Sequence, residues 1–190
     1  MKKFFIVLTL ALVVVGNNFA EALPFNRTQL DKMFLEVEQV ETNSTFVLNV
    51  ENFQKRFNGL ITPILKEAMG TDDVSAMEHL FLIKDYKIIG GTFANIFGDY
   101  RVAIIGSCAA DGNFKVLNFC YTTPEEKDES IFTIWLMTAF VKSIAPEVNP
   151  QVLMSELTEE NSSGSVVKGD IKFSIAADGN LNTLTATPNQ

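Results

Sequence analysis

This chain is poor in the residues that most metal and hydrolytic chemistry requires. It has one histidine, His79, so no site needing two imidazoles can be built, and its two cysteines cannot form a four-thiolate zinc centre. There is no Gly-x-Ser-x-Gly elbow for a serine nucleophile, and Gly90-Gly91 with Gly98 fits neither the phosphate-loop nor the dinucleotide-binding pattern. Basic charge is scarce as well: 15 Lys and Arg stand against 23 Asp and Glu, a net charge of −8. Nucleic acids and anionic lipid surfaces need clustered Lys and Arg, so neither is an expected partner. No metal or other cofactor is expected.

A long apolar run occurs at the N-terminus. Met1-Lys2-Lys3 precedes Phe4 to Val15, interrupted only by Thr9, and Ala20-Glu21-Ala22-Leu23-Pro24 follows. A basic start, a short apolar stretch and small residues at the third and first positions before a cut are the three parts of a secretory signal. The expected organisation is a signal peptide over residues 1–22, cleaved after Ala22, and one globular domain over 23–190. The run falls short of the roughly 20 residues a spanning helix needs, so no stable membrane span is expected after cleavage. Without Lys2, Lys3 and Glu21 the 15 basic and 23 acidic side chains fall to 13 and 22, and the net charge moves from −8 to −9. The expected location is periplasmic or extracellular.

Such a location suggests a Cys108–Cys120 disulfide, but the local pattern opposes it. Arg101 to Ala109 reads as a strand, Ala110-Asp111-Gly112-Asn113 as a tight turn and Phe114 to Tyr121 as the returning strand. In that hairpin Cys120 faces Ala103 and Cys108 faces Lys115. The two thiols are then five residues apart, about 17 Å along the strand, where bridging needs Cα atoms within about 7 Å. Both are expected to be unpaired. A second hairpin, Ser165 to Ala176 and Leu181 to Ala186, turns on Ala177-Asp178-Gly179-Asn180, so Ala-Ala-Asp-Gly-Asn occurs at 109–113 and again at 176–180.

Helices are expected over 28–41 behind Thr28, and from Asn49 to about 68 with a kink or break near Gly59 and Pro63. A third is expected from Thr123-Pro124-Glu125-Glu126 to Ile144, and a short one from Asn149-Pro150 to about Leu157. Only Thr133 and Thr138 interrupt the apolar run 131–141, so the third helix should be buried on most sides. Thr92 to Phe97 reads as a strand, and 74–89 as either strand or helix end. The order of elements gives an α+β fold: a single antiparallel sheet, two Asp-Gly-Asn hairpins plus further strands, with helices packed on one face.

Arg56 and Arg101 lie within apolar segments, and the single Trp135 lies within the apolar 131–141 run; these three are the candidate ligand-binding residues. No catalytic residue is assigned. The functional expectation is an exported, non-enzymatic binding or interaction module. One alternative is a carrier of a small hydrophobic ligand held between sheet and helices. The other is a hydrolase using carboxylates (Glu125/Glu126, Asp128/Glu129, Glu159/Glu160) or His79 with a Cys or Ser.

Overall fold

The computed structural model describes residues 24–40, 42, 44–84, 86–98, 101–159 and 163–189; the expected signal peptide, residues 1–22, lies outside them. Helix α1 spans Arg27–Glu38, α2 Val50–Met69 and the single-turn α3 Ser75–Glu78. Strands β1 (Lys87–Ile89), β2 (Thr92–Phe97), β3 (Val102–Cys108) and β4 (Phe114–Thr122) follow. Helices α4 (Lys127–Ile144) and α5 (Pro150–Thr158) then lead to β5 (Ser165–Lys168), β6 (Ile171–Asp178) and β7 (Leu181–Pro188).

Side-chain oxygens set most helix starts. Asn49 accepts from the Asn52 amide at 2.9 Å and begins α2, and Asn149 accepts from Gln151 and Val152 to begin α5 ahead of Pro150. Asn26 rather than Thr28 begins α1: it and Gln29 each accept the other's amide, a reciprocal capping box. Thr123 does not open α4. Its amide and hydroxyl both donate to the Asn180 carbonyl, and its hydroxyl accepts from Asn182, which holds the 123–126 segment outside the helix. Glu129 instead folds back on the amides of Glu125 and Glu126, and α4 starts at Lys127. Helix α2 runs without a break through Pro63, with Phe57, Ile61 and Leu65 fully buried on both sides of it. Burial of that face outweighs the one backbone hydrogen bond the proline removes.

All seven strands form one antiparallel sheet in the order β1-β2-β3-β4-β7-β6-β5. Ala103 faces Cys120 and Ser107 faces Val116; a bulge at Ser107/Cys108 then sets Cys108 against Phe114 instead of Lys115. Both cysteines are free, five residues apart along β3, and they pack on opposite faces of the sheet. The expected strand from Ser165 to Ala176 is divided into β5 and β6 by a turn at Gly169, whose φ of +58° glycine tolerates without strain.

Alternate residues of the strands serve two unequal cores. Val102, Ile104, Leu117, Phe119, Tyr121, Phe173 and Leu184 join α2, α4 and α5 in the larger one. There Phe53, Phe93 and Phe114 meet edge to face with centroids 5.5–6.1 Å apart, and Phe140 lies 5.5 Å from Phe119. These rings fill the layer between sheet and helices. Ala103, Ile105, Val116, Cys120 and Leu181 face the other way, under Met33 and Val37 of α1. The α+β class with one antiparallel sheet agrees with the sequence, but α1 lies on the face opposite the other helices. A weakly amphipathic helix of 12 residues does not announce which side of a sheet it covers.

Candidate functional site

Of the three residues singled out from the sequence, none shares a cleft with another. Arg101, just before β3, reaches the first turn of α4, where its guanidinium pairs with Glu129. It lines a cleft of about 380 Å³ with Leu80, Val102, Phe132 and Asp128. Arg56 on α2 donates to the Ser143 carbonyl at 3.4 Å and lines a separate cleft beside Lys142 and Pro146. Trp135 meets Phe81 in a tilted contact at 5.7 Å, and Phe81 also meets Phe132 at 4.7 Å, so the indole belongs to the packing between α4 and the α3 turn.

The end of the sheet beneath the Arg101 cleft is unusually polar. Tyr121 faces Asn182 across β4 and β7 and Val102 across β3. The Tyr121 hydroxyl and Asn182 Oδ1 are both buried with no hydrogen-bond partner among the described residues, as is Arg101 Nε. Burial pushes the Tyr121 phenol well above its ordinary value, so it is neutral at any physiological pH. Arg101 is meanwhile neutralised by an acid of the chain itself.

The thiols are equally remote from chemistry. Burial, with a smaller contribution from Asp111, pushes Cys108 up to about 11, and burial pushes Cys120 up to about 12. A thiol held that high is protonated at neutral pH and is a poor nucleophile. His79 is exposed on the turn after α3. Glu129 is occupied by Arg101 and by two backbone amides.

A third cleft, lined by none of the residues singled out from the sequence, has a different character. Strand β1 is three residues long and pairs only with Thr92–Ala94, so among the described residues Asn95–Phe97 of β2 has no strand on its outer side. Ahead of β1, Ile83 is fully buried and its backbone is held by α2. Its amide donates to Asn58 Oδ1 at 2.8 Å, and its carbonyl accepts from Asn58 at 3.0 Å and Gln54 at 2.8 Å. A groove of about 460 Å³ lies beside β2. Its apolar wall comes from Phe34 of α1 with Ala94, Ile96 and Ile89, and its charged lining residues are Lys84 and Lys87. Ile88, Ile89 and Ile96 are 53%, 67% and 36% exposed. Neither lysine is ion-paired among the described residues.

Sequence reasoning missed this groove because it depends on strand order. Lys87-Ile88-Ile89 reads as any short apolar strand, and nothing local says that it ends the sheet. The one available signal was the shortness of the run before Gly90-Gly91. Comparison with protein-family models, curated proteins and solved structures finds no match to this chain.

Proposed function

We propose that the chain is an exported, non-enzymatic binding module and that it engages a protein partner through the β1 end of its sheet. Export rests on the three-part pattern of residues 1–22. The binding half rests on one observation: a sheet edge with Ile89 and Ile96 exposed at a groove, and with Ile88 exposed beside them on the other face of β1. Sheet edges present unpaired backbone groups, and folded proteins ordinarily cover or blunt them. The phenylalanines between sheet and helices pack on one another, so a site at the rim fits the geometry better than a ligand enclosed between the layers. Among the described residues no helix is long and apolar enough to cross a membrane.

Two measurements test this reading. Protein recovered from the exported fraction should begin at Leu23 by N-terminal sequencing; a chain that keeps Met1 would remove the export half. A photo-crosslinking residue at Ile88 should trap one defined protein, whose binding then protects β1 and β2 amides from hydrogen exchange. The same residue at Val167, on the opposite edge, should trap nothing comparable. Equal adducts at both positions, or none at either, would remove the binding half.

A further inference from the structure

Helix α1 lies mainly over β2, β3 and β4, so its flank forms a concave corner with the part of the same sheet face that β7 and β6 present. A groove of about 310 Å³ runs in that corner, lined by Lys32, Glu36 and Val40 on the helix side and by β4, β6 and β7 on the other. That volume is within the range of small-molecule sites. We propose that the groove binds a neutral sugar, with one ring seated in it and its hydroxyls on Asn118, Thr183 and Thr185. The site is separate from the β1 edge, and neither reading depends on the other.

Strand register sets the floor. Asn118 lies between Val116 and Cys120 on the α1 face of β4, opposite Thr185 of β7, and Thr183 lies opposite Cys120. Thr185 in turn faces Ser174 of β6, which carries the polar floor outward from the groove. The inner end of this row is buried. Asn118 is 4% exposed, and its Oδ1 has no hydrogen-bond partner among the described residues. A buried polar atom left unpaired is destabilising, and the neighbours of Asn118 on this face of β4 are apolar. A hydrogen-bonding ligand accounts for an amide at that place. The Cβ–Cγ torsion of asparagine is broad, so either end of the amide turns towards the groove. Thr183 directs its hydroxyl proton to Cys120 Sγ at 3.8 Å, which leaves its oxygen as an acceptor.

Charge selects against ions of either sign. Lys32 Nζ meets Asp178 at 2.5 Å and Glu36 at 3.7 Å. Lys172, exposed two residues before Ser174 and on the same face of β6, adds a second cation. An anionic ligand meets Glu36 and Asp178, a cationic one meets Lys32 and Lys172, and each competes with an ion pair already formed. A hydroxyl carries no charge and both donates and accepts, so it suits the amide, the threonines and the ion pair alike. Val40, Val116 and Leu181 supply an apolar side for the C–H face of a sugar ring.

The test titrates the purified chain with glucose, galactose and N-acetylglucosamine, and with glucosamine and glucuronate as charged counterparts, followed by nitrogen–proton NMR. At least one neutral sugar should shift the Asn118 side-chain amide and the Thr183 and Thr185 backbone amides saturably, and should bind more tightly than either charged sugar. Asn118→Leu should keep or raise the melting temperature while weakening that sugar about ten-fold or more. Thr185→Val keeps the side-chain shape and should weaken it several-fold at an unchanged melting temperature; it carries the test if Asn118→Leu does not fold. Tighter binding of glucosamine or glucuronate overturns the neutral ligand. Absence of a saturable shift with every neutral sugar, or shifts confined to another surface, overturns the site. Unchanged affinity in the folded variants does the same and makes Asn118 a structural amide satisfied by water.

Discussion

At one end of the sheet, β5 lies against α5, with Val166 turned into the main core and Lys168 reaching Glu156 at 2.5 Å. At the other end β1 has three residues, all exposed, two of them isoleucine. Both end strands are short, since β5 pairs only with Ile171–Ser174 of β6, but the β5 edge is packed against a helix and the β1 edge is not. A folding requirement applies equally to both ends and would not produce this difference. An exposed aliphatic edge is an aggregation hazard, and the arrangement makes sense where the edge is meant to be covered by something else. Val167, 50% exposed on β5, shows that a stray aliphatic alone is not the distinction. The distinction is the helix, the ion pair and the inward valine that accompany it.

The first way to break this comparison is to damage the packed end. Phe173 on β6 is fully buried next to β5. Phe173→Ala should cost about 3–5 kcal/mol, the range for removing a buried ring, read as a lower urea midpoint. If it costs no more than an exposed substitution, the β5 end is not the anchored one. Next in size is Gly106→Ala in central β3. A Cβ there would stand 2.8 Å from the Val116 carbonyl oxygen and 2.8 Å from Leu117. Backbone cannot yield as a side chain end can, and a loss of about 1–3 kcal/mol is expected. Because β2 pairs with β3 through Gly106 and Phe93, the loss should be accompanied by faster exchange in β1 and β2.

Smaller effects sharpen the comparison at the edges themselves. Lys168→Met removes a pair whose side chains are about a third exposed, so it should cost at most about 1 kcal/mol. Ile88→Lys, at a 53% exposed position, should change stability by no more than about 0.5 kcal/mol. The informative reading is association. The first substitution should raise the tendency of the protein to self-associate, and the second should lower it, as judged by sedimentation. Opposite shifts would mean that β5, not β1, is the vulnerable edge.

Local chemistry was legible in the sequence; placement was not. Asn49, Asn149 and the hairpin register Ala103–Cys120 follow from short-range rules and were readable. The repeated Ala-Ala-Asp-Gly-Asn shows where such rules stop. At 109–113 it forms a three-residue loop, with Gly112 at φ +81° and the Asp111 side chain accepting from the Asn113 amide. At 176–180 only Gly179-Asn180 is loop, and Asp178 pairs with Leu181. The difference comes from partners distant in sequence: Asn180 is held by Gln29 of α1 and by Thr123. The same Thr123 contacts delay α4 beyond the expected start. Which strand ends the sheet, and so where the groove lies, depends on all six strand pairings together and is written in no single segment. Arg101 was visible as a charge among apolar residues, yet its partner Glu129 was read only as one of several helix-start acids.

The two cysteines give the finest probe of the difference between interior and edge. Cys108 closes the open end, its amide donating to the Gly91 carbonyl at 2.8 Å across from the β1–β2 turn, whereas Cys120 is fully buried beneath α1. Both thiols sit above the ordinary value of 9.0, at about 11 and about 12. Ionisation is therefore resisted in the folded chain more than in the unfolded one. Their contribution to stability is complete below pH 9 and is lost as pH rises through 9 towards 12. Cys120→Ala should flatten part of that alkaline decline, measured by urea unfolding at pH 8 and pH 10. At constant pH the labelling rates separate the two environments. Cys108 should react with a thiol reagent through local opening of the β1 end, and Cys120 only through global unfolding. Equal labelling rates would mean that the two thiols are exposed by the same opening, and the β1 end would lose its special standing.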